Sequence, residues 1–493
     1  MIDSIQLDNF KSIAAMKIKL APLTILVGPN GSGKTSILES IALMAQTSRI
    51  SGALGGSLKG EFVDFEDEKA IRCKGSESAR LKLGFSASVD IRPLLAALRS
   101  DAGRKGMART PAGKVIPSPM TEWLENLSTV LHNQTRNHDF DLSTKKHLQD
   151  KTAHRSIPET LVEYQFAKDF RSEYRFHRYE IAGMFVTYER DSSFIKTSIG
   201  GIKGGKEVRV NERISPAFAV GGTAALFDIG GEEAFMPVIG SYSFFFVLRN
   251  ELVTKMHDVY YLSAQRGHIP WTVDTSQAGG VAWVGSKGEH TLEVLSQLMK
   301  PENREKWLPY GILLEKFGVK RAWSGWKEKG VLYSNYVDPL LGSSHKLPSL
   351  GFGAKQLIPI VIQLAYCNPG STVLVEEPET SLHPAHQTLL PILFANAVGE
   401  GKQVIVTTHS SFFPLSLYQI FEGVQLRRLT EEGTRSFHIQ LNVDDVAVYQ
   451  IFRGKNGLTQ TRLLELDKDG LKEGIPSFIE VERKILDRYL RRE

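Results

Sequence analysis

The N-terminal part of the chain shows three successive patterns of apolar and polar residues. Apolar residues first recur at short intervals in two groups: Ile2, Ile5, Leu7 and Phe10, then Ile13, Met16, Ile18 and Leu20. This near alternation predicts two short strands that turn near Lys11 and Ser12. An unbroken apolar run over 23–27 then predicts a buried strand, and a helix is predicted by the spacing of Ile37, Leu38, Ile41, Leu43 and Met44.

The pattern changes in the middle of the chain and becomes regular again after residue 241. Residues 99–120 are basic and rich in glycine and proline, which predicts a loop. Residues 121–185 have a mainly helical pattern, and residues 196–240 predict loops around short strands. Residues 242–262 are strongly apolar and are predicted to be core. Later apolar runs at 373–375 and 403–407 each predict a strand.

Composition and charge limit the class of protein. The chain has 493 residues, of which 42% are hydrophobic and 23% charged, as in ordinary globular proteins. The sequence contains no long apolar run and no basic leader, so we expect neither a membrane span nor a signal peptide. Its two cysteines, Cys73 and Cys367, favour a reducing compartment, and we expect a cytoplasmic protein. The net charge of +5 permits contact with nucleic acid without requiring it.

The segment between the predicted strand and helix matches the phosphate-binding pattern G-x-x-x-x-G-K-[ST] at every position. Its glycines allow a tight turn whose backbone N–H groups converge on phosphate oxygens. The amine of Lys34 suits the β- and γ-phosphates, and the hydroxyl of Thr35 suits Mg²⁺. The predicted nucleotide-binding residues here are Asn30, Gly31, Ser32, Gly33, Lys34 and Thr35.

Acidic and histidine side chains follow the two later strands. Glu376 and Glu377 come directly after the run at 373–375, at the strand end where parallel α/β sheets carry their ligand sites. Adjacent residues of a strand point to opposite sides, so the two carboxylates can divide the work. We predict that Glu376 helps to hold Mg²⁺, together with Thr35, and that Glu377 is the general base. His409 follows the run at 403–407 and is predicted to assist catalysis at the γ-phosphate or the attacking water.

A glycine-rich turn also opens a predicted helix at residues 347–361. A helix N-terminus of this kind can bind an anion. The ordered set of motifs, from Asn9–Ile13 through the phosphate-binding loop to Gly351-Phe352-Gly353, Glu376–Glu377 and His409, resembles ABC-type AAA family ATPases of the OLD, RecF and SMC group. In that group the turn is the signature motif, so the resemblance assigns Gly351, Gly353 and Lys355 to a nucleotide held by another subunit. The usual signature serine has no equivalent here, and a glutamine near Mg²⁺ has only unassigned candidates: Gln46, Gln134 and Gln149.

The resemblance implies a fold and a division of the chain. We expect an α/β P-loop head, with a mixed sheet, flanking helices and an N-terminal antiparallel β part, and with an inserted, mainly helical region. The predicted parts are the N-terminal half of the head (1–91), an inserted lid or partner-binding region (92–240), the C-terminal half of the head (241–420) and a C-terminal α/β extension (421–493). Arg266 lies at the end of a predicted strand. Two interpretations are open: it contacts a phosphate or a neighbouring subunit, or it is a solvated arginine on the surface.

The resemblance also implies a function. We expect an ATPase with ATP and Mg²⁺ as cofactors, whose sites are completed between copies in a homodimer or higher oligomer. Relatives include stand-alone ATPase subunits of anti-phage defence, so our hypothesis is a sensor or scaffold for a separately encoded effector such as a nuclease. The alternative is a DNA-repair or chromosome-associated ATPase that clamps duplex DNA, and a third hypothesis is a slow scaffold held together by ATP.

Overall fold

The computed structural model describes residues 1–49, 58–66, 69–73, 81–87, 254–274, 281–327, 330–430, 433–476 and 478–479, together with four strands between 176 and 214. The strands of the first half are β1 (Ile2–Phe10), β2 (Ile13–Lys19), β3 (Leu23–Val27), β4 (Lys82–Ala87), β5 (Phe176–Ile181), β6 (Met184–Arg190), β7 (Ile195–Lys203) and β8 (Lys206–Ile214). Those of the second half are β9 (Val259–Leu262), β10 (Thr272–Asp274), β11 (Lys320–Lys327), β12 (Val331–Val337), β13 (Ser344–Lys346), β14 (Thr372–Glu376), β15 (Gln403–Thr408), β16 (Val424–Thr430), β17 (Gly433–Ile439), β18 (Val446–Arg453), β19 (Thr459–Leu464), β20 (Leu466–Asp467) and β21 (Gly470–Leu471).

Helices flank these strands. They are α1 (Lys34–Arg49), α2 (Thr291–Leu298), α3 (Arg304–Lys316), α4 (Phe352–Tyr366), α5 (Pro384–Gln387), α6 (Leu390–Gly399), α7 (Phe412–Leu415) and α8 (Tyr418–Glu422). In the part of the chain that the model describes, no helix has the length and apolar character needed to cross a membrane.

A six-stranded sheet forms the centre, in the order β19-β18-β3-β15-β14-β9. Strands β18, β3, β15, β14 and β9 are parallel, and β19 is antiparallel to β18. The register pairs Val27 with Thr408, and Glu376 with Thr407. The carboxyl ends of β3, β14 and β15 therefore meet at one edge, as a parallel sheet with a ligand site requires.

Each face of this sheet packs on a separate apolar core. On one face, Leu374 and Ile405 pack with α1 residues such as Ile37 and Ile41, and with the three-stranded antiparallel sheet β2-β1-β4. On the other face, Val373, Val375, Val404 and Val406 join the apolar residues of α2, α3, α4 and α6. Helix α1 therefore lies between two sheets, and this fixes the position of the loop that precedes it.

Most of the predicted architecture is confirmed. The N-terminal alternation forms β1 and β2, whose turn contains Lys11 at a φ of 50°. The apolar run before the glycine-rich loop forms the fully buried β3, and the runs near 373 and 403 form β14 and β15. The predicted α/β head with an antiparallel β part is what the chain forms.

The described residues between 176 and 214 are strands: the prediction of a mainly helical insertion was wrong at 176–190, whereas short strands were expected within 196–240. These residues form the antiparallel sheet β5-β6-β7-β8, in which neighbouring strands are joined by short connections. Aromatic and β-branched residues at alternate positions, such as Phe185 and Thr187, favour a strand over a helix. The predicted basic loop at 99–120 lies outside the described residues, and the boundaries of the inserted region remain predictions.

Two strands of the segment predicted as a C-terminal extension join the central sheet of the head, and the boundary at residue 421 stays a prediction. Strand β18 pairs in parallel with β3, and β19 pairs with β18, so both complete the central sheet. The pattern of β18 is that of a buried strand, with Val448 and Ile451 fully buried. The loop beside β3 therefore has neighbours from both ends of the chain.

Candidate nucleotide site

The loop of residues 28–33 joins β3 to α1 and requires glycine at defined positions. A Cβ at Gly28 would lie within 3.0 Å of the carbonyl oxygen of Ile451 on β18. Gly33 has a φ of +107°, and a Cβ there would meet the side chain of Thr459 on β19. L-residues rarely adopt such φ values, and β19 leaves no space. Glycine at these two positions thus allows the loop to lie close to β18 and β19.

Lys34 is the first residue of α1 and is only 4% exposed. Its Nζ donates hydrogen bonds to the carbonyl oxygens of Gly28, at 2.8 Å, and Pro29, at 2.9 Å. Burial lowers the pKa of Lys34 to about 8, and the nearby carboxylates of Glu377, Glu379 and Glu376 oppose this shift. A buried cation that makes no close ion pair of its own among the described residues is well suited to receive a phosphate.

Glu376 ends β14 and lies beside Thr35. Its Oε2 accepts a hydrogen bond from the backbone N–H of Ala264 at 3.1 Å, and the hydroxyls of Thr35 and Tyr261 face the carboxylate. Its Oε1 is buried and has no hydrogen bond of normal geometry within the described residues. Burial raises the pKa of this carboxyl group. One carboxylate with an unpaired buried oxygen beside a hydroxyl fits Mg²⁺, which takes few protein ligands and keeps several waters.

Glu377 and His409 form a pair at the same edge. His409 Nε2 lies 3.0 Å from Glu377 Oε1, and the two side chains are 29% and 34% exposed. The hydrogen bond from His409 lowers the pKa of Glu377, which is therefore ionised at neutral pH. Glu377 has a φ of 42°, an uncommon value for a residue with a side chain and one that is found at functional sites. The backbone N–H of Glu377 donates to the carbonyl oxygen of Thr407 at 2.9 Å, which holds this conformation.

The two halves of the predicted site meet. Lys34 Nζ lies 3.4 Å from His409 Nδ1, so Lys34, His409 and Glu377 form one connected row. If Nδ1 accepts from the lysine and Nε2 donates to the carboxylate, His409 is neutral with its proton on Nε2.

A cavity of about 340 Å³ opens at this row. It is lined by Asn30, Gly31, Ser32, Gly33, Lys34, Thr35, Ser36, Glu377, His409 and Arg453. Eight of these residues were predicted from the motifs. Ser36 and Arg453 were not, and Glu376 lies buried beside Thr35 rather than on the cavity wall.

A family comparison agrees with this geometry. The model of the AAA ATPase domain family matches residues 1–268 and 295–413, which is most of the chain. The chain belongs to the AAA ATPase domain family. The OLD nuclease of Thermus scotoductus is 36% identical over 76 residues, which are 14% of this chain. That segment spans 13% of the length of the OLD nuclease. The predicted resemblance to AAA-type ATPases related to the OLD group is therefore confirmed.

Solved structures of SMC heads also align with this ATPase domain. The SMC head bound to the C-winged helix domain of ScpA gives a TM-score of 0.42 at 12% identity, over 95% of this chain and 98% of that chain. The SMC head with an extended coiled coil bound to the C-terminal domain of ScpA, from Pyrococcus furiosus, gives 0.38 at 12% identity, over 99% of each chain. The SMC head domain from Thermotoga maritima gives 0.32 at 10% identity, over 89% and 99%.

Glu379 is a residue of the ATPase domain that the sequence analysis missed. It lies two residues after Glu377, is buried, and accepts hydrogen bonds from the backbone N–H groups of His409, at 2.6 Å, and Ser410, at 3.2 Å. Burial raises its pKa. Glu379 therefore ties the segment after β14 to the segment after β15 and fixes the backbone of His409. The run Glu376-Glu377-Pro378-Glu379 was the available signal, because it places a third carboxylate directly after the two predicted functional ones at the end of a buried strand.

Arg266 follows β9 and is neither solvated nor available to a phosphate. It is 4% exposed, and its guanidinium donates to the carbonyl oxygens of Ser263 (2.6 Å), Gln356 (2.9 Å), Glu377 (2.8 Å) and Glu376. The solvated alternative is thus wrong, and the guanidinium is bound to carbonyl oxygens and does not line the cavity, whereas a contact with a neighbouring subunit stays a prediction. Arg266 connects α4 to the end of β14, and burial lowers its pKa to about 10, which still leaves it charged at neutral pH.

The predicted signature residues are at the start of α4, away from this cavity. Gly351 precedes the helix, and no side chain caps it. Gly353 packs on the carbonyl of Ser381, where a Cβ would clash, and the backbone of Lys355 lies against Gly267. None of Gly351, Gly353 and Lys355 lines the cavity of its own chain. Gln46, a candidate for the missing glutamine, instead accepts hydrogen bonds from the backbone of Phe62 and Val63, while Gln134 and Gln149 lie outside the described residues.

Proposed function

We propose that this AAA ATPase domain binds Mg–ATP in the cavity and hydrolyses it to ADP and phosphate. The observation that carries the proposal is the row formed by Lys34, His409 and Glu377, with separations of 3.4 Å and 3.0 Å. Lys34 and His409 are 375 positions apart in the sequence and meet beside a loop whose backbone suits phosphate.

Each residue has a defined task in this proposal. Lys34 exchanges its carbonyl partners for the β- and γ-phosphates. Thr35 and Glu376 hold Mg²⁺, which when bound neutralises charge on the phosphates. The ionised Glu377 accepts a proton from water as the water oxygen bonds to the γ-phosphorus and the bond from that phosphorus to the bridging oxygen breaks. His409 orients Glu377 and the water, and Glu379 fixes the backbone of His409.

We propose further that a second copy of the chain completes each site. Gly351, Gly353 and Lys355 lie outside the cavity of their own chain, at a helix start that has no side-chain cap. Phe352, beside them, is 60% exposed. An uncapped helix N-terminus can bind an anion, so these residues are suited to the γ-phosphate of a nucleotide held by a partner. The ATP-bound state is then a homodimer or higher oligomer that hydrolysis releases.

The substitution Glu377→Gln tests these proposals. Because it removes the general base but little volume, phosphate release should fall by at least about 100-fold, while ATP binding persists. The oligomer should then accumulate in the presence of Mg–ATP, as measured by light scattering after gel filtration. Glu473→Gln is the matched control, since Glu473 is exposed and paired with Arg462 away from the cavity.

Two results would reject the proposals separately. Unchanged phosphate release in Glu377→Gln would remove the assigned base. A monomer at all ATP concentrations, in both the native chain and the variant, would remove the shared site while leaving nucleotide binding intact.

We propose that this ATPase serves as a cytoplasmic sensor or scaffold for a separately encoded effector, such as a nuclease, in anti-phage defence. Support comes from the family match and from the 36% identity to a segment of an OLD nuclease. Co-purification of interacting proteins with and without ATP tests this role, and an ATP-dependent partner with nuclease activity is the expected result. Tight, salt-sensitive binding of bare duplex DNA without such a partner would instead favour a DNA clamp.

A further inference from the structure

The hairpin of β18 and β19 stands beside the glycine-rich loop, because β18 pairs in parallel with β3 and Gln450 lies opposite Val27. Because β3 and β18 are parallel, their carboxyl ends lie at the same edge of the sheet. The hairpin turn at 454–458 follows β18 and therefore lies next to the cavity, on the side of β3 opposite to β15 and β14.

Two hairpin residues bind the loop directly. Arg453 Nε donates to the carbonyl oxygen of Gly31 at 2.7 Å, and its Nη1 donates to that of Gly457 at 2.9 Å. Thr459 Oγ1 donates to the carbonyl oxygen of Ser32 at 2.9 Å. These bonds hold the arginine between the loop and its own turn.

Arg453 also lines the cavity, and its charge is still available there. Within the described part of the chain, the Nη2 of Arg453 makes no hydrogen bond, and the other guanidinium nitrogens donate to carbonyl oxygens. The planar donors of an arginine guanidinium match phosphate oxygens. Among the described residues that line the cavity, Lys34 is the other cation, and the carboxylate, Glu377, is paired with His409. Arg453 thus supplies positive charge at the mouth of the proposed phosphate site.

We propose that Arg453 is a nucleotide-binding residue that contacts the phosphate chain of ATP held by its own subunit. This inference rests on the proposed function. It assigns to the C-terminal hairpin a direct part in the site, so that the head binds ATP with both ends of the chain.

The test compares Arg453→Gln, Arg453→Lys and Arg462→Gln. Arg462 lies on β19 and pairs with Glu473 at 3.0 Å, so it controls for loss of an exposed arginine on the same hairpin. Affinities for Mg–ATP and for inorganic tripolyphosphate are measured by displacement of a fluorescent ATP analogue. Arg453→Gln should weaken both by about 10- to 100-fold, the value of one charge-assisted hydrogen bond. Arg453→Lys should recover most of the affinity, and Arg462→Gln should match the native chain.

Other outcomes overturn the inference. If Arg453→Gln and Arg453→Lys lose affinity equally and both lower the melting temperature without nucleotide, Arg453 only supports the Gly31 carbonyl. If tripolyphosphate binding is unchanged in Arg453→Gln, the phosphates are not its ligand. A native chain that binds no ATP would reject the proposed function itself, whereas normal ATP binding by Arg453→Gln would reject this inference alone.

Discussion

Removing the carboxylate of Glu379 should slow catalysis without weakening ATP binding. Glu379 does not line the cavity, but it accepts the backbone N–H of His409 at 2.6 Å and of Ser410 at 3.2 Å. In Glu379→Ala, the Ser410 N–H keeps a second acceptor, Thr408 Oγ1 at 3.0 Å. The His409 N–H loses the one acceptor that it has among the described residues, so His409 is the residue whose position is disturbed.

The magnitude follows from that single unpaired group. The His409 N–H is partly buried, and leaving such a donor without an acceptor costs about 1 kcal/mol, rising to about 3 kcal/mol where water cannot reach it. If the backbone of His409 shifts to avoid this cost, the His409 side chain no longer aligns Glu377. The activation free energy of hydrolysis then rises by up to the free energy of the lost hydrogen bond. The kcat should therefore fall by about 5- to 150-fold. Glu379→Gln keeps an acceptor oxygen and should lose much less.

Single-turnover phosphate release gives the rate, and titration with a fluorescent ATP analogue gives the affinity. We expect the Kd for ATP to stay within about threefold of the native value, because removing a negative charge near Lys34 does not oppose phosphate binding. Glu473→Ala is the control, because Glu473 is exposed and pairs with Arg462. The reasoning is refuted if Glu379→Ala keeps the native melting temperature and also hydrolyses ATP at the native rate.

Three further predictions concern stability and reactivity. Gly33→Ala should abolish nucleotide binding and lower the free energy of unfolding by about 1–3 kcal/mol, since Gly33 has a φ of +107° and faces Thr459. A denaturant titration measures this loss, and adding Thr459→Ala to the same chain should relieve only part of it. Arg266→Lys should lower the free energy of unfolding by at least about 1.5–3 kcal/mol, because one amine cannot serve four carbonyls; an unchanged denaturation midpoint would contradict this. Burial raises the pKa of Cys367 to about 12, so native Cys367 should resist alkylation at pH 9, and its contribution to stability should be lost as pH rises from about 9 towards 12, where the unfolded thiol ionises first. Alkylation of Cys367 as fast in native as in unfolded protein would show that it is exposed.

The loop and the two glutamates could be predicted because their chemistry depends on residue types at fixed spacing beside recognisable strands. Gly28 to Thr35 and Glu376–Glu377 follow apolar runs, and a strand followed by such residues leaves few alternatives. The row from Lys34 to Glu377 confirms that these segments converge.

What could not be predicted depends on long-range contacts. Nothing near Arg453 in the sequence indicates that β18 lies next to β3, so its place on the cavity wall was missed. Arg266 was misjudged because burial by α4 and β14 is a tertiary property. The strands at residues 176–190 were missed because their aromatic residues also fit a helical period over short windows.

The place of β3 in the sheet has a consequence for biosynthesis. This strand lies between β15 and β18, both of which are translated long after it. On the ribosome, β3 and the glycine-rich loop therefore emerge early, but β3 has no strand to pair with until residues 403–453 have followed. Pairing over such sequence distances is slow, and an unfinished chain exposes both edges of β3. A nascent or truncated polypeptide should thus depend on chaperones and gain a working nucleotide pocket only when synthesis has passed Arg453.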